Sequence, residues 1–149
     1  MSYPKIIFMR HGETEWNLAG RAQGILNSPL TAKGRNQAET LGKILKENLG
    51  TAEGYDQFVS PLGRTLETAE SLQKYFAFDP TPDDRLKEIA LGDIAGMTLY
   101  EIKQEFPEHL EGKVGLEWYF GAPGGETFAQ IHARAQSFLH DLKRPSIVV

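Results

Sequence analysis

The chain alternates short apolar blocks with longer amphipathic stretches. Ile6, Ile7, Phe8 and Met9 form an apolar run rich in β-formers, and a polar stretch opens directly behind it. Such a run reads as a short buried strand. Residues 10–29 are mostly polar and read as a loop, and loops of that length in compact domains are often functional. A helical period then begins. Ala38, Leu41, Leu45 and Leu49 share one face, Thr31 is placed to cap the start and Gly50 to stop the end. Residues 55–59 read as a second strand, broken by Ser60 and Pro61. Residues 63–76 read as a helix whose apolar face is Leu62, Leu66, Ala69, Leu72 and Phe76.

The middle of the chain is less regular. Residues 78–84 hold two prolines and three aspartates and read as loop, with a weak third strand expected near Arg85 and Leu86. Thr98 is placed to cap a short helix carrying Leu99, Ile102 and Phe106. Residues 107–125 read as irregular, with Trp118, Tyr119 and Phe120 together. The clearest helix covers 127–142, where Phe128, Ile131, Ala135, Phe138, Leu139 and Leu142 form a continuous stripe. Residues 146–149 begin another buried strand.

Strand, crossover helix and strand at this spacing predict parallel pairing and an α/β fold. No repeat or linker divides residues 1–149, so a single domain is expected. The formal charge of −4 argues against a broad nucleic-acid-binding face, yet a few arginines suffice to build a local anion pocket. There are no cysteines, which excludes disulfides, thiolate metal sites and a cysteine nucleophile. The first apolar run is too short for a signal peptide or membrane span, so a cytoplasmic setting is expected.

Candidate chemistry concentrates where the first strand ends. Ligands of open α/β sheets bind just past the carboxyl ends of strands. Arg10, His11 and Gly12 stand at that point. A fixed cation beside His11 favours the neutral imidazole, which is a nucleophile, and Gly12 allows a ligand close to the backbone. The pattern fits attack by His11 on an electrophile whose anionic oxygens Arg10 holds. If the two first strands are parallel, Arg64 and Glu67 reach the same crevice, although on their own they also fit an ordinary i,i+3 surface pair.

Several blocks together resemble the histidine phosphatase superfamily, with its phosphoglycerate mutase-like fold. They are Arg10-His11-Gly12-Glu13-Thr14 with Asn17, and Arg21-Ala22-Gln23-Gly24 followed by Ser28-Pro29-Leu30-Thr31. Next come Ser60-Pro61-Leu62-Gly63-Arg64-Thr65 with Glu67-Thr68-Ala69, the segment 86–92, and Gly124-Gly125-Glu126-Thr127 with Arg134 downstream. The resemblance implies a three-layer α/β/α domain with a mostly parallel sheet. It implies phosphomonoester chemistry on a small phosphorylated metabolite, with no cofactor or metal. His11 would become a phosphohistidine, and Arg10 and Arg64 would bind the phosphoryl oxygens. Glu88, expected to be partly desolvated, would protonate the leaving oxygen and then activate water. Asn17, Gln23 and Gly24 would contact phosphate or substrate. Glu13 is expected only to orient its neighbours, Arg134 to be structural, and Trp118 to Phe120 to pack or to wall the pocket.

The resemblance implies a phosphatase. A phosphoglycerate mutase and a non-catalytic phosphate-ester-binding pseudophosphatase are the alternatives; the short stretch after Glu88 favours the phosphatase. In the family, the strand matching 146–149 leads into a second catalytic histidine. None of His109, His132 and His140 matches that motif, so the family's C-terminal part is expected to be missing from these 149 residues and activity to be impaired. An uncovered last strand is also expected to favour self-association.

Overall fold

The computed structural model describes residues 3–149. Its strands are β1 (Ile6–Phe8), β2 (Asp56–Val59), β3 (Thr81–Pro82) and β4 (Ser146–Val148). Its α-helices are α1 (Glu15–Leu18), α2 (Ala32–Leu49), α3 (Gly63–Gln73), α4 (Leu99–Glu105), α5 (Pro107–Leu110) and α6 (Phe128–Asp141). The strands form one parallel sheet in the order β1-β4-β2-β3.

Side chains on a strand alternate between faces, and the sheet builds its layers from that rule. Ile147 and Val149 join Val59, Leu45, Leu72 and Phe76 beneath α2 and α3. Val148 joins Phe138 of α6 and Leu142, the residue that follows that helix, on the opposite face. The result is the expected α/β/α arrangement. A third cluster, built on Ile89, Leu91, Ile94 and Ile102, gathers the middle of the chain. No helix among the described residues is long and apolar enough to cross a membrane.

The caps act as anticipated. The Thr31 hydroxyl accepts from the Gly34 N–H, and Gly50 ends α2 at φ 71°. Thr98 and Glu101 form a reciprocal capping box at α4.

Four expectations are corrected. First, β1 and β2 are parallel but not neighbours, because β4 lies between them, with Ile147 opposite both Ile7 and Gln57. The last strand is therefore interior. Ser146 and Ile147 are 0% exposed, so the premise of association through an uncovered β4 fails. Apolar β4 suits a position buried on both faces.

Second, the third strand is Thr81–Pro82, inside the stretch read as loop, and residues 84–86 form a 3-10 turn instead. Asp83 stabilises that turn by accepting from the Arg85 backbone N–H and guanidinium. Pro82 cannot donate to a ladder, which confines β3 to the sheet edge. Third, the polar loop contains α1, started by a capping box between Thr14 and Asn17, and the irregular stretch contains α5.

Fourth, the apolar stripes mislead at individual positions. Of the six residues in the stripe carried by α6 and its C-cap, only Phe138 and Leu142 are buried, and Phe128 is exposed. On α3, Leu66 is 43% exposed while Arg64 is 2% exposed. The helix is turned so that a cation faces inward, and that residue belongs to the site.

Candidate active site

The carboxyl ends of β1, β4 and β2 lie side by side. The Met9 N–H donates to the Val148 carbonyl, and the Ser60 N–H donates to the Val149 carbonyl. His11 leaves the end of β1, and Arg64 sits in the first turn of α3 behind β2. Thr68 links the two segments: its hydroxyl accepts from the Gly12 N–H at 3.1 Å and donates to the Arg64 carbonyl at 2.7 Å. On the other side the exit of β1 is pressed against the start of α2. A Cβ on Gly12 would lie 2.2 Å from the Gly34 carbonyl oxygen, and one on Gly34 would lie 2.1 Å from that of Glu13. Any side chain at either position would force the backbones apart. The two glycines thus let α2 fix the path of the chain around His11.

His11 is partly buried, and its Nδ1 lies 2.7 Å from the Gly12 carbonyl oxygen. A carbonyl only accepts, so Nδ1 carries the proton and Nε2 carries the lone pair. Burial is the main force holding the His11 imidazole below its usual value, and the charges of Arg64 and Arg10 act in the same direction. The Gly12 hydrogen bond and the Glu88 carboxylate oppose them. The ring is therefore kept neutral and its nucleophilic tautomer is specified.

This has a measurable consequence. In the folded protein the His11 ring should titrate below 6.5, the ordinary value of histidine. Nucleophilic capacity then survives below that pH and fades only as pH falls through the lowered value. The stability sign follows. Above 6.5 the ring is neutral in folded and unfolded chains alike, and the cost of burying it appears as pH falls from there. NMR titration of the His11 ring protons checks this; a midpoint at or above 6.5 would show that burial and the arginines do not dominate.

Arg64 is held by the polar loop. Its Nη1 donates to the Leu26 carbonyl and its Nη2 to the Gly24 carbonyl, both at 2.8 Å. Its backbone N–H donates to Asn27 Oδ1 at 2.8 Å. Burial pulls the guanidinium below its usual value and Glu88 opposes this; an arginine starts high enough to stay charged. Its Nε is buried without a hydrogen-bond partner in the protein. Buried donors normally have partners, so a charged donor without one, on an arginine whose charge acts on the His11 ring, is suited to an anionic oxygen.

Arg10 is exposed and lines an open groove of about 900 Å³ with His11, Asn17 and Lys33. Arg64 and Glu88 are not part of that lining. Their charges nonetheless act on the His11 ring, so the cationic groups and Glu88 converge on it from different segments.

Glu88 departs from expectation in its burial: the residue is exposed, and its Oε1 accepts from the adjacent Ile89 N–H at 3.0 Å. The chain that carries it is nevertheless held on both sides. Arg134 donates to the carbonyls of Arg85 and Lys87. Glu126 accepts from the Ala90 N–H at 2.8 Å and from the Arg134 side chain. Burial raises the Glu126 carboxyl, but Arg134 and the Ala90 N–H outweigh it and hold it low. Arg134 is thus structural, as anticipated, and what it structures is the Glu88 segment.

The remaining site candidates have internal tasks. Asn17 Oδ1 accepts from the Thr14 N–H. Buried Gln23 accepts from the Thr14 hydroxyl at 2.9 Å. Gly24 supplies a carbonyl to Arg64 from a left-handed backbone at φ 54°. These three shape the loop around Arg64. Glu13 accepts from Thr31 and Lys33 and orients the start of α2. Glu67 does not pair with Arg64: it accepts from the Leu30 N–H at 2.8 Å and sits 3.7 Å from Arg35. His132 and His140 lie on the exposed face of α6. Among the described residues no cluster of His, Asp or Glu is placed to hold a metal ion.

Sequence reasoning missed Thr68 and Asn27 as positioning groups. Thr68 lies within a motif block and was open to notice. Asn27 carries no local signal, because its partner is 37 residues away.

Comparison with known proteins identifies the family and the fold. The family described as histidine phosphatase superfamily (branch 1) matches residues 6–146. Phosphoserine phosphatase 1 of Hydrogenobacter thermophilus is 33% identical over 141 residues, covering 94% of this chain and 64% of that protein. A probable phosphoglycerate mutase GpmB of Salmonella newport is 33% identical over 135 residues, covering 91% of this chain and 61% of that protein. The chain thus spans a little under two thirds of the length of both relatives. Among solved structures, Bacillus stearothermophilus YhfR superposes with a TM-score of 0.79 at 36% identity, covering 96% of this chain and 71% of that one. A phosphoglycerate mutase from Thermus thermophilus superposes with a TM-score of 0.72 at 34% identity, covering 96% and 75%. On the family match and these alignments, the chain belongs to the histidine phosphatase superfamily, branch 1.

Proposed function

We propose that this chain carries the phosphoryl-accepting site of a phosphomonoester phosphatase acting on a small phosphorylated metabolite. The observation that carries the reading is His11: a neutral ring with its lone pair on Nε2, under the charge of a buried arginine whose Nε has no partner within the protein. In the proposed reaction, Nε2 attacks phosphorus and the ester P–O bond breaks. The leaving oxygen takes a proton from Glu88. Water then attacks the phosphohistidine, Glu88 takes its proton, the P–N bond breaks and inorganic phosphate leaves. Arg10 and Arg64 hold the non-bridging oxygens, where guanidinium geometry suits phosphate. Such transfers rely mainly on positioning and charge stabilisation. The exposure of Glu88 leaves it open to water, as its second task requires.

A mutase is the second reading, supported by the names of relatives on both sides of the question. The deciding experiment offers p-nitrophenyl phosphate, and separately 2,3-bisphosphoglycerate with a monophosphoglycerate. An acid-labile phosphoryl group on His11 with release of inorganic phosphate supports the phosphatase. Exchange of the phosphoryl group between glycerate positions without net phosphate release supports the mutase. Binding of phosphate with neither adduct nor turnover leaves the phosphate-ester-binding pseudophosphatase.

A further inference from the structure

We infer that Arg21 is a positioning residue of the phosphoryl site: paired with Glu101 at the start of α4, it fixes the turn whose carbonyls hold Arg64. The inference rests on the phosphatase reading and adds a residue to its machinery.

The guanidinium of Arg21 is held at three points. Its Nη1 donates to the Gly96 carbonyl at 2.7 Å and to Glu101 Oε2 at 2.9 Å, and its Nη2 donates to Glu101 Oε1 at 3.3 Å. A planar fork bonded in this way is fixed in orientation as well as in distance. The backbone continues the hold. Arg21 and Thr98 form an antiparallel bridge. The Ala22 N–H donates to the Met97 carbonyl at 2.8 Å, and the Gly96 N–H donates to the Ala22 carbonyl at 2.7 Å. The base is firm too: Glu101 Oε2 also accepts from the Thr98 N–H at 2.7 Å in the capping box of α4, and Ile102 beside it is fully buried.

What Arg21 anchors is the entry to the Arg64 turn. The Leu26 N–H donates to the Gln23 carbonyl at 3.0 Å, which closes a turn over residues 23–26. The two carbonyls that accept from Arg64, those of Gly24 and Leu26, both belong to that turn. It therefore moves as one piece and carries the guanidinium with it. Residues 22–24 are buried, so a shift at Arg21 is passed on rather than absorbed. On its other side the turn has no slack: a Cβ on Gly24 would lie 2.7 Å from the Ile89 carbonyl oxygen, directly after Glu88. The Arg21–Glu101 pair is itself about one-third exposed, and such pairs add little stability by attraction alone. Its contribution is the placement of Arg64.

Calorimetry with inorganic phosphate on the wild type, Arg21→Ala, Arg64→Met and the double variant tests this. Arg21→Ala should weaken phosphate binding by about three- to tenfold, within the range of coupling between residues of one bonded network. In the Arg64→Met background the same change should have almost no effect on binding, because the donor it positions is gone. Arg21→Lys should recover only part of the loss, and Glu101→Gln should reproduce part of it. The NMR signal of the Arg64 Nε–H gives a second reading that needs no Arg64 variant: it should move in Arg21→Lys and in Glu101→Gln. A lowered melting temperature in Arg21→Ala with unchanged phosphate affinity, an equal loss in both backgrounds, or an Arg64 signal that stays in place overturns the positioning role while the phosphoryl site stands. If the wild type binds no phosphate, the phosphatase reading falls and the inference with it.

Discussion

Replacing His11 with asparagine should abolish the phosphoryl adduct and lower any phosphate-ester turnover by on the order of 10⁴-fold or more, the scale expected when a covalent nucleophile is removed. The structure separates this loss from a loss of fold. His11 makes one hydrogen bond within the protein, to the carbonyl of its own neighbour, and is only partly buried. The strand before it is held by β4, and Gly12 is held by Thr68. The melting temperature should therefore move by no more than a few degrees. Mapping the trapped phosphoryl group by mass spectrometry, beside a thermal melt, decides the matter. An adduct on another residue, or an asparagine variant with undiminished turnover, would remove His11 from the role.

The second large effect is expected at Arg64. Arg64→Met keeps much of the side chain's length but deletes two charge-assisted hydrogen bonds, leaving the carbonyls of Gly24 and Leu26 without these partners. Each such bond contributes about 1.5–3 kcal/mol, so a loss of about 3–6 kcal/mol is expected. In a domain of this size that corresponds to a drop of about 10 °C or more in melting temperature. Phosphate affinity should fall as well, because the buried Nε donor disappears. Arg64→Lys tests the geometry: one ammonium cannot reproduce the planar fork that reaches two carbonyls and still leaves a donor open. It should recover only part of the stability. Calorimetry with inorganic phosphate and a thermal melt read both effects. Unchanged melting together with unchanged phosphate binding in Arg64→Met would contradict the assignment.

These two residues also mark the reach of local reasoning. His11 was legible because its signal is local: an apolar strand, then Arg10, His11 and Gly12 at the place where α/β sheets bind ligands. Arg64 was legible only through its motif block. The apolar period of α3 pointed at Leu66 as buried, whereas the helix turns Arg64 inward. Burying a charge is costly unless it is bonded, and the bonds come from loop residues about 40 positions earlier in the chain. No window of the sequence contains both partners. Glu88 shows the reverse. Its place in the site was open to inference, but its exposure was not, because exposure depends on how α6 and the 85–90 segment are clamped by Arg134 and Glu126.

By itself the sequence determined what depends on neighbours along the chain. It specified strands at β1, β2 and β4, helices α2, α3, α4 and α6, and the caps at Thr31, Thr98 and Gly50, since propensity, period and capping act over a few residues. It also placed the nucleophile candidate at a strand end. Only the tertiary structure decided the strand order, with β4 between β1 and β2, because any of several orders satisfies the same apolar pattern. It alone decided that Asn17, Gln23 and Gly24 shape the loop around Arg64, and that Thr68 couples His11 to Arg64. Those relations join residues far apart in sequence, and they exist only once the sheet has brought the ends of its strands together.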